Sequence, residues 1–212
     1  MGIIRHRINT IEALKTVNPS HGVELDLRGY GDKLLMTHDP IEDSKLATYT
    51  DFEEYLKHWR HSGVMVLNIK EMGYEKRIID LMHKYNVKDW FFQDAEFPYI
   101  YRATRKEGMR RVSIRFSEAE PIEYVGAQLD ENGNPMLNWV WIDTNTKLPI
   151  TKEDISVLSK FKTCLVCPER WGRPADIPKY IEGLKSLGFK LDAVMTAAQY
   201  VEQWEKSGVV KL

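Results

Sequence analysis

Short apolar runs alternate with longer amphipathic stretches along the whole chain, and no other feature restricts its architecture so tightly. The apolar runs are Ile3–His6, Val23–Arg28, Val64–Lys70, Trp90–Asp94, Val112–Phe116, Trp139–Asp143, Thr163–Pro168 and Leu191–Thr196, all of strand length. Helix-like stretches separate them at Asn9–Val17, Asp51–His61, Tyr74–Tyr85, Pro98–Lys106, Pro121–Leu129, Lys152–Phe161, Ile177–Leu187 and Ala197–Lys206. Thr50 ahead of Glu53 and Thr151 ahead of Asp154 read as helix starts, and Gly108 and Gly188 as helix stops. Strict alternation predicts an α/β chain, a (β/α)8 TIM barrel forming a single domain over residues 1–212. An extra strand-like piece, Lys33–Thr37, predicts a small β-hairpin after strand 2. At 212 residues the chain is shorter than the roughly 250 typical of such barrels, so its loops must be lean. The most irregular stretch is the turn-rich Asp130–Pro135.

Parity within the runs says which side chains face inward. Glu24, Asp26 and Arg28 share one face of the second strand, opposite Val23, Leu25 and Leu27. Asn68 and Lys70 oppose Leu67 and Ile69; Arg111, Ser113 and Arg115 oppose Val112, Ile114 and Phe116; Trp139, Trp141 and Asp143 oppose Val140 and Ile142. In a barrel the apolar face meets the helices. The polar set is therefore expected inside, converging at the strand C-termini where barrel enzymes keep their chemistry. Ordinary satisfied polar layers would account for Arg111 and Ser113, but poorly for Glu24, Asp26, Asn68, Lys70 and Arg115 together.

Composition excludes several classes. The formal net charge is −1 with Lys and Arg scattered, so neither nucleic acid nor an anionic membrane surface is an expected partner. No stretch approaches the roughly 20 apolar residues of a membrane span. Arg5 comes too soon for a secretory leader, and Ile3 opens a strand too soon for Gly2 to mark a lipid anchor; the chain reads as cytoplasmic. Cys164 and Cys167 form a C-x-x-C within an apolar strand, which points the thiols to opposite faces, so buried free thiols are expected rather than a redox or zinc pair.

The chemistry concentrates near the start. An E-x-D pair, Glu24 and Asp26, is a natural cradle for a hard divalent cation, and His6 and His38 bracket it as a potential acid and base. The remaining histidines, His21, His58, His61 and His83, read as structural or surface groups.

His6-Arg7, Asn9-Thr10-Ile11-Glu12-Ala13, Glu24-Leu25-Asp26, His38-Asp39 and Asn68-Ile69-Lys70 together resemble the glycerophosphodiester phosphodiesterase family, within the phosphatidylinositol-phospholipase-C-like superfamily of barrels. The likeness is specific over Ile4–Asp39, weaker over Leu67–Lys70 and architectural beyond. It implies hydrolysis of a glycerol-, inositol- or sugar-linked phosphodiester, a small-molecule substrate, with His6 and His38 as the acid–base pair. It further implies Mg²⁺ or Ca²⁺ on Glu24, Asp26 and Asn68, and Arg7, Lys70 and, more weakly, Arg115 on the phosphate, with Trp141 as an apolar or stacking wall. Two departures stand out. Ile8 replaces the glycine that usually follows His-Arg, and neutral Asn68 takes an acidic ligand's place, which weakens cation binding. Arg28, on the Glu24 face, keeps open a metal-independent relative in which an arginine replaces the cation. The neutral Asn68 also leaves open a non-catalytic barrel that binds a sugar phosphate. Lys70 as a Schiff-base amine is a third alternative. Glu169, at the end of the seventh run, is a further pocket candidate.

Overall fold

The computed structural model describes residues 2–211. Its strands are β1 (Gly2–Arg5), β2 (Gly22–Tyr30), β3 (Lys33–Met36), β4 (Thr50–Asp51), β5 (Met65–Ile69), β6 (Trp90–Gln93), β7 (Ser113–Phe116), β8 (Trp139–Ile142), β9 (Lys162–Val166) and β10 (Ala193–Thr196). The helices are α1 (Ile11–Lys15), α2 (Phe52–Lys57), α3 (Glu75–Lys84), α4 (Phe97–Lys106), α5 (Ile122–Gly126), α6 (Ile155–Leu158), α7 (Ile177–Ser186) and α8 (Val201–Glu205). Parallel pairing runs from β7 through β8, β9, β10, β1, β2 and β5 to β6, so the sheet curls upon itself as an α/β fold. A lone parallel bridge, Phe92 to Val112, joins its two ends. β3 and β4 add antiparallel pairs beyond the second half of β2, with Leu27 opposite Met36 and Leu35 opposite Asp51.

Two apolar layers account for the continuous hydrophobic runs, as expected of strands covered on both faces. The outer layer joins residues such as Leu25, Leu67, Val140 and Leu165 to the helices. The inner layer gathers Ile4, Val66, Phe91, Trp139, Trp141, Cys164, Val166, Ala193 and Met195 inside the curl. The Phe91 and Trp139 rings stack there at 4.7 Å. Cys164 lies in the inner layer and Cys167 in the outer, both free and buried, as strand parity requires. The Trp204 indole N–H donates to Cys167 Sγ at 3.1 Å.

Helix starts differ in detail from the sequence expectation. α2 is capped not by Thr50 but by Asp51, the last residue of β4, whose carboxylate accepts from the Glu54 amide at 3.1 Å. At α6 the roles reverse: the Asp154 carboxylate accepts from the Thr151 amide and hydroxyl at 2.7 and 2.8 Å. Gly108 and Gly188 do take left-handed backbone after α4 and α7. Among the described residues no helix is long and apolar enough to cross a membrane.

Candidate active site

The C-terminal ends of the parallel strands surround a cavity of about 140 Å³. Its wall comes from residues far apart in sequence: His6 and Arg7 after β1, Glu24 and Asp26 from β2, His38 after β3, Asn68 and Lys70 from and after β5. Asp94 after β6, Arg115 of β7, Trp141 and Asp143 at the end of β8, and Arg170 and Trp171 beyond β9 join them, with the apolar Val166 and Met195 of β9 and β10 completing the wall. Side chains of one parity on parallel strands must meet at this rim, which is why the early motif and the later strands share one pocket.

At its centre Glu24 is almost wholly buried. Its Oε2 accepts from the Arg7 backbone N–H at 2.9 Å and its Oε1 from Asn68 Nδ2 at 3.1 Å. Burial and the neighbouring Asp26 charge still push its carboxyl up to about 7. Asp26 also lies out of solvent, but the outcome is opposite. Burial pulls its pKa upward, yet the Lys70 ammonium at 2.8 Å and the Asn9 amide at 2.8 Å outweigh this and hold it below the usual carboxylate range. Asn9 grips Asp26 twice, because its Oδ1 also accepts from the Asp26 backbone N–H at 2.8 Å. Asn9 precedes Thr10, the N-cap of α1, so the helix start and the acidic strand are tied together.

His6 Nε2 lies 3.9 Å from Glu24 Oε2. Burial first, then the charges of Arg170 and Arg7, lower its pKa to about 3, so the imidazole is neutral at ordinary pH. His38 reaches the same pocket from the segment after β3, more exposed, with Nδ1 2.9 Å from Asp39 Oδ1. Two of the three non-glycine residues with left-handed backbone among the described residues, Arg7 and Asp94, line this cavity. Strained backbone of this kind gathers at functional sites.

Arg28 does not join them. Its guanidinium donates to the His38 carbonyl at 2.9 Å and pairs with Glu71, which also accepts from the Gly29 amide at 3.1 Å. It fastens the segment carrying His38 to β2 instead of facing the cavity. Glu169 also stays out, accepting from the Thr196 hydroxyl and the Ala197 amide at 3.0 and 2.8 Å. Trp141 forms floor rather than rim, only 4% exposed. Arg115 lies among carboxylates, 2.7 Å from Asp94, 3.1 Å from Glu120 and bonded to Asp143. Burial pushes Asp143 up to about 6 against the pull of Arg115. Asn9 stood out only as the start of a helix motif, not as a partner of Asp26; no pattern singles out Asp94, Arg170 or Trp171, and Asp143 shows only as a parity partner of Trp141.

Among the described residues no three His, Cys, Asp or Glu side chains are grouped to hold a metal. The oxygen donors at the centre nevertheless suit a hard cation. Two adjacent carboxylates repel, and Asn68 Oδ1 is buried without a hydrogen-bond partner. One or two carboxylates plus substrate phosphate are a usual Mg²⁺ environment.

No protein-family model matches the sequence, and no curated protein matches it. Solved structures do. A glycerophosphodiester phosphodiesterase from Agrobacterium tumefaciens superposes with a TM-score of 0.62 at 14% identity, covering 92% of this chain and 96% of that one. A glycerophosphoryl diester phosphodiesterase from Parabacteroides distasonis gives 0.66 at 12% identity, with 98% and 87% coverage. The glycerophosphoryl diester phosphodiesterase domain of a Mycobacterium tuberculosis protein gives 0.62 at 11% identity, with 96% and 98% coverage. At these identities the likeness establishes a shared fold.

Proposed function

We propose that the protein is a phosphodiesterase that hydrolyses a glycerol-, inositol- or sugar-linked phosphodiester by paired-histidine acid–base catalysis, assisted by Mg²⁺ or Ca²⁺. The observation that carries this reading is the meeting of His6, His38, Glu24, Asp26 and Lys70 in one cavity at the strand C-termini. It takes the sheet as an eight-stranded barrel closed at the Phe92–Val112 bridge, with the β2–β3 hairpin at its mouth.

Glu24, Asp26 and the free Oδ1 of Asn68 would hold the cation, which supplies charge neutralisation at a phosphoryl oxygen and a lower pKa for the attacking hydroxyl. His6, neutral through burial, accepts the proton of a hydroxyl neighbouring the phosphate. As that oxygen bonds to phosphorus, the leaving alkoxide takes its proton from His38, whose Nδ1 faces Asp39. The product is a cyclic phosphate, which water opens with the two proton transfers reversed. Arg7, Arg170 and Lys70 neutralise phosphate charge, and Asn9 keeps Asp26 in place.

Turnover of glycerophosphodiesters in the presence of Mg²⁺ or Ca²⁺, and in excess chelator, tests this. His6→Gln and His38→Gln are each expected to lower kcat/KM by about 10²–10⁴. Undiminished turnover in both variants, or none by the wild type on any diester, would end the proposal. One observation favours a metal-independent second reading: Lys70 already pairs with Asp26, and Asn68 presents its N–H to Glu24. Full activity in chelator would select it.

A further inference from the structure

Next to the catalytic pocket lies a second, larger cavity of about 340 Å³ that shares Asp94 and Arg115 with it. The rest of its wall is largely apolar: Ala95, Phe97, Ile100, Ile114, Pro121 and Tyr124. Two separate crossovers, α4 and α5, bring Phe97 and Tyr124 together at its edge with ring centroids 5.6 Å apart. These rings are 42% and 50% exposed, so packing of the fold does not explain their placement. Ligand cavities have this character, roughly 300–1,000 Å³ with mainly apolar walls and a few polar groups. The polar groups here are already engaged. Arg115 is bonded among Asp94, Glu120 and Asp143, leaving no free cation for a second phosphate and no unpartnered carboxylate for a cationic group.

We infer that this cavity is a subsite for an alkyl or acyl chain carried by one alcohol of the phosphodiester, whose phosphate lies in the adjoining pocket. The inference rests on the phosphodiesterase reading, which puts the phosphate next door. Nothing in the proton transfers uses the cavity, so it sets which diester is preferred rather than whether one is cleaved.

Glycerophosphodiesters of methanol, butanol and octanol, kept below their micellar concentrations, give the test. Their leaving alcohols are similarly basic and differ in chain length. kcat/KM is expected to climb about two- to fourfold for each methylene buried. Phe97→Ala, Tyr124→Ala and Ala119→Trp, the last filling the exposed rim, should flatten the series and leave methyl-diester turnover unchanged. A flat series in active wild type overturns the subsite, as does a chain-length gain that survives all three substitutions. Calorimetry with octyl phosphate and methyl phosphate reads the subsite without turnover. If no diester is cleaved, yet octyl phosphate binds at least about tenfold tighter and Ala119→Trp removes the difference, the hydrolytic reading fails and the subsite stands. Equal binding of the two phosphates overturns it.

Discussion

Burial beside Arg170 and Arg7 makes the His6 imidazole reluctant to take a proton, and that reluctance has a consequence for stability. The folded pKa of about 3 lies below the unfolded value of 6.5, so the unfolded chain binds the proton more readily. Stability linked to His6 is therefore complete above about pH 6.5 and drains away as the pH falls toward 3. Between pH 7 and 4.5 the loss should be about 2–3 kcal/mol. Glu24 works in the opposite sense, since its carboxyl, raised to about 7, gains a proton in the folded state over the same interval. The informative quantity is thus the difference between wild type and His6→Gln, measured by urea unfolding in chelator at both pH values. The variant should lose about 2–3 kcal/mol less on acidification, and equal losses would show that His6 titrates normally. His6, Glu24, Asp26, His38, Asn68 and Lys70 were legible beforehand because strand parity and motif spacing place them together. Asp94 escaped because a left-handed residue just past a strand end obeys no parity rule. Arg170 and Trp171 escaped because they sit in a one-turn 3₁₀ segment, Pro168–Trp171, that leaves no periodic trace. Arg28 was misplaced by parity, because that rule gives the strand face but not the reach of a long side chain toward Glu71.

Elements tolerate change according to what stands against their backbones. A Cβ on Gly63 would come within 2.2 Å of the His21 carbonyl group, backbone that cannot step aside without moving the start of β2. Gly63→Ala is expected to destabilise by about 1–3 kcal/mol, with a lower urea midpoint. Gly126, in α5, is the contrast: nothing lies within 4 Å of the added Cβ, and its φ is not in the left-handed region. Gly126→Ala should therefore be neutral or stabilising by up to about 1 kcal/mol, because the unfolded chain loses freedom it no longer has to give up. An equal response at both positions would mean that local crowding does not control either. The parallel strands were readable within a residue or two, since buried parallel strands leave unbroken apolar runs, whereas the two-residue β4 reads in the sequence as a helix start. Helix extents were overread. The pattern over Lys152–Phe161 spans a full amphipathic stretch, yet α6 keeps only Ile155–Leu158 because turns take up the rest. The alternation that announces a crossover does not distinguish a helix from a turn with a helical period.

Around the whole molecule the sheet has one thin place. Neighbouring parallel strands elsewhere share between two and five paired positions, whereas β6 and β7 meet at the single Phe92–Val112 bridge. Alternation along the sequence predicts the strand order but not this weakness, because apolar runs carry no record of how many positions two strands pair. Side chains span it: Arg115 on β7 bonds to Asp94 beyond β6 and to Asp143 beyond β8. Because Asp143 is only 3% exposed, removing its partner leaves a buried carboxylate uncompensated. Arg115→Met should cost about 2–3 kcal/mol at pH 8, a figure reduced from the usual buried-pair penalty because the arginine side chain is 38% exposed. The sign of its pH dependence follows from Asp143. The folded-state pKa already stands near 6 against an ordinary 3.8, so ionised Asp143 weakens the fold above that range and protonation relieves it as the pH falls through 6 toward 3.8. The penalty of Arg115→Met should therefore shrink at pH 4.5, and adding Asp143→Asn should recover much of it at pH 8. Hydrogen exchange at the amides of Phe92 and Ser113 should quicken in the single variant more than at β8 or β9. If the penalty were the same at both pH values, or exchange rose evenly around the sheet, the charged staple would not be what holds β6 and β7 together.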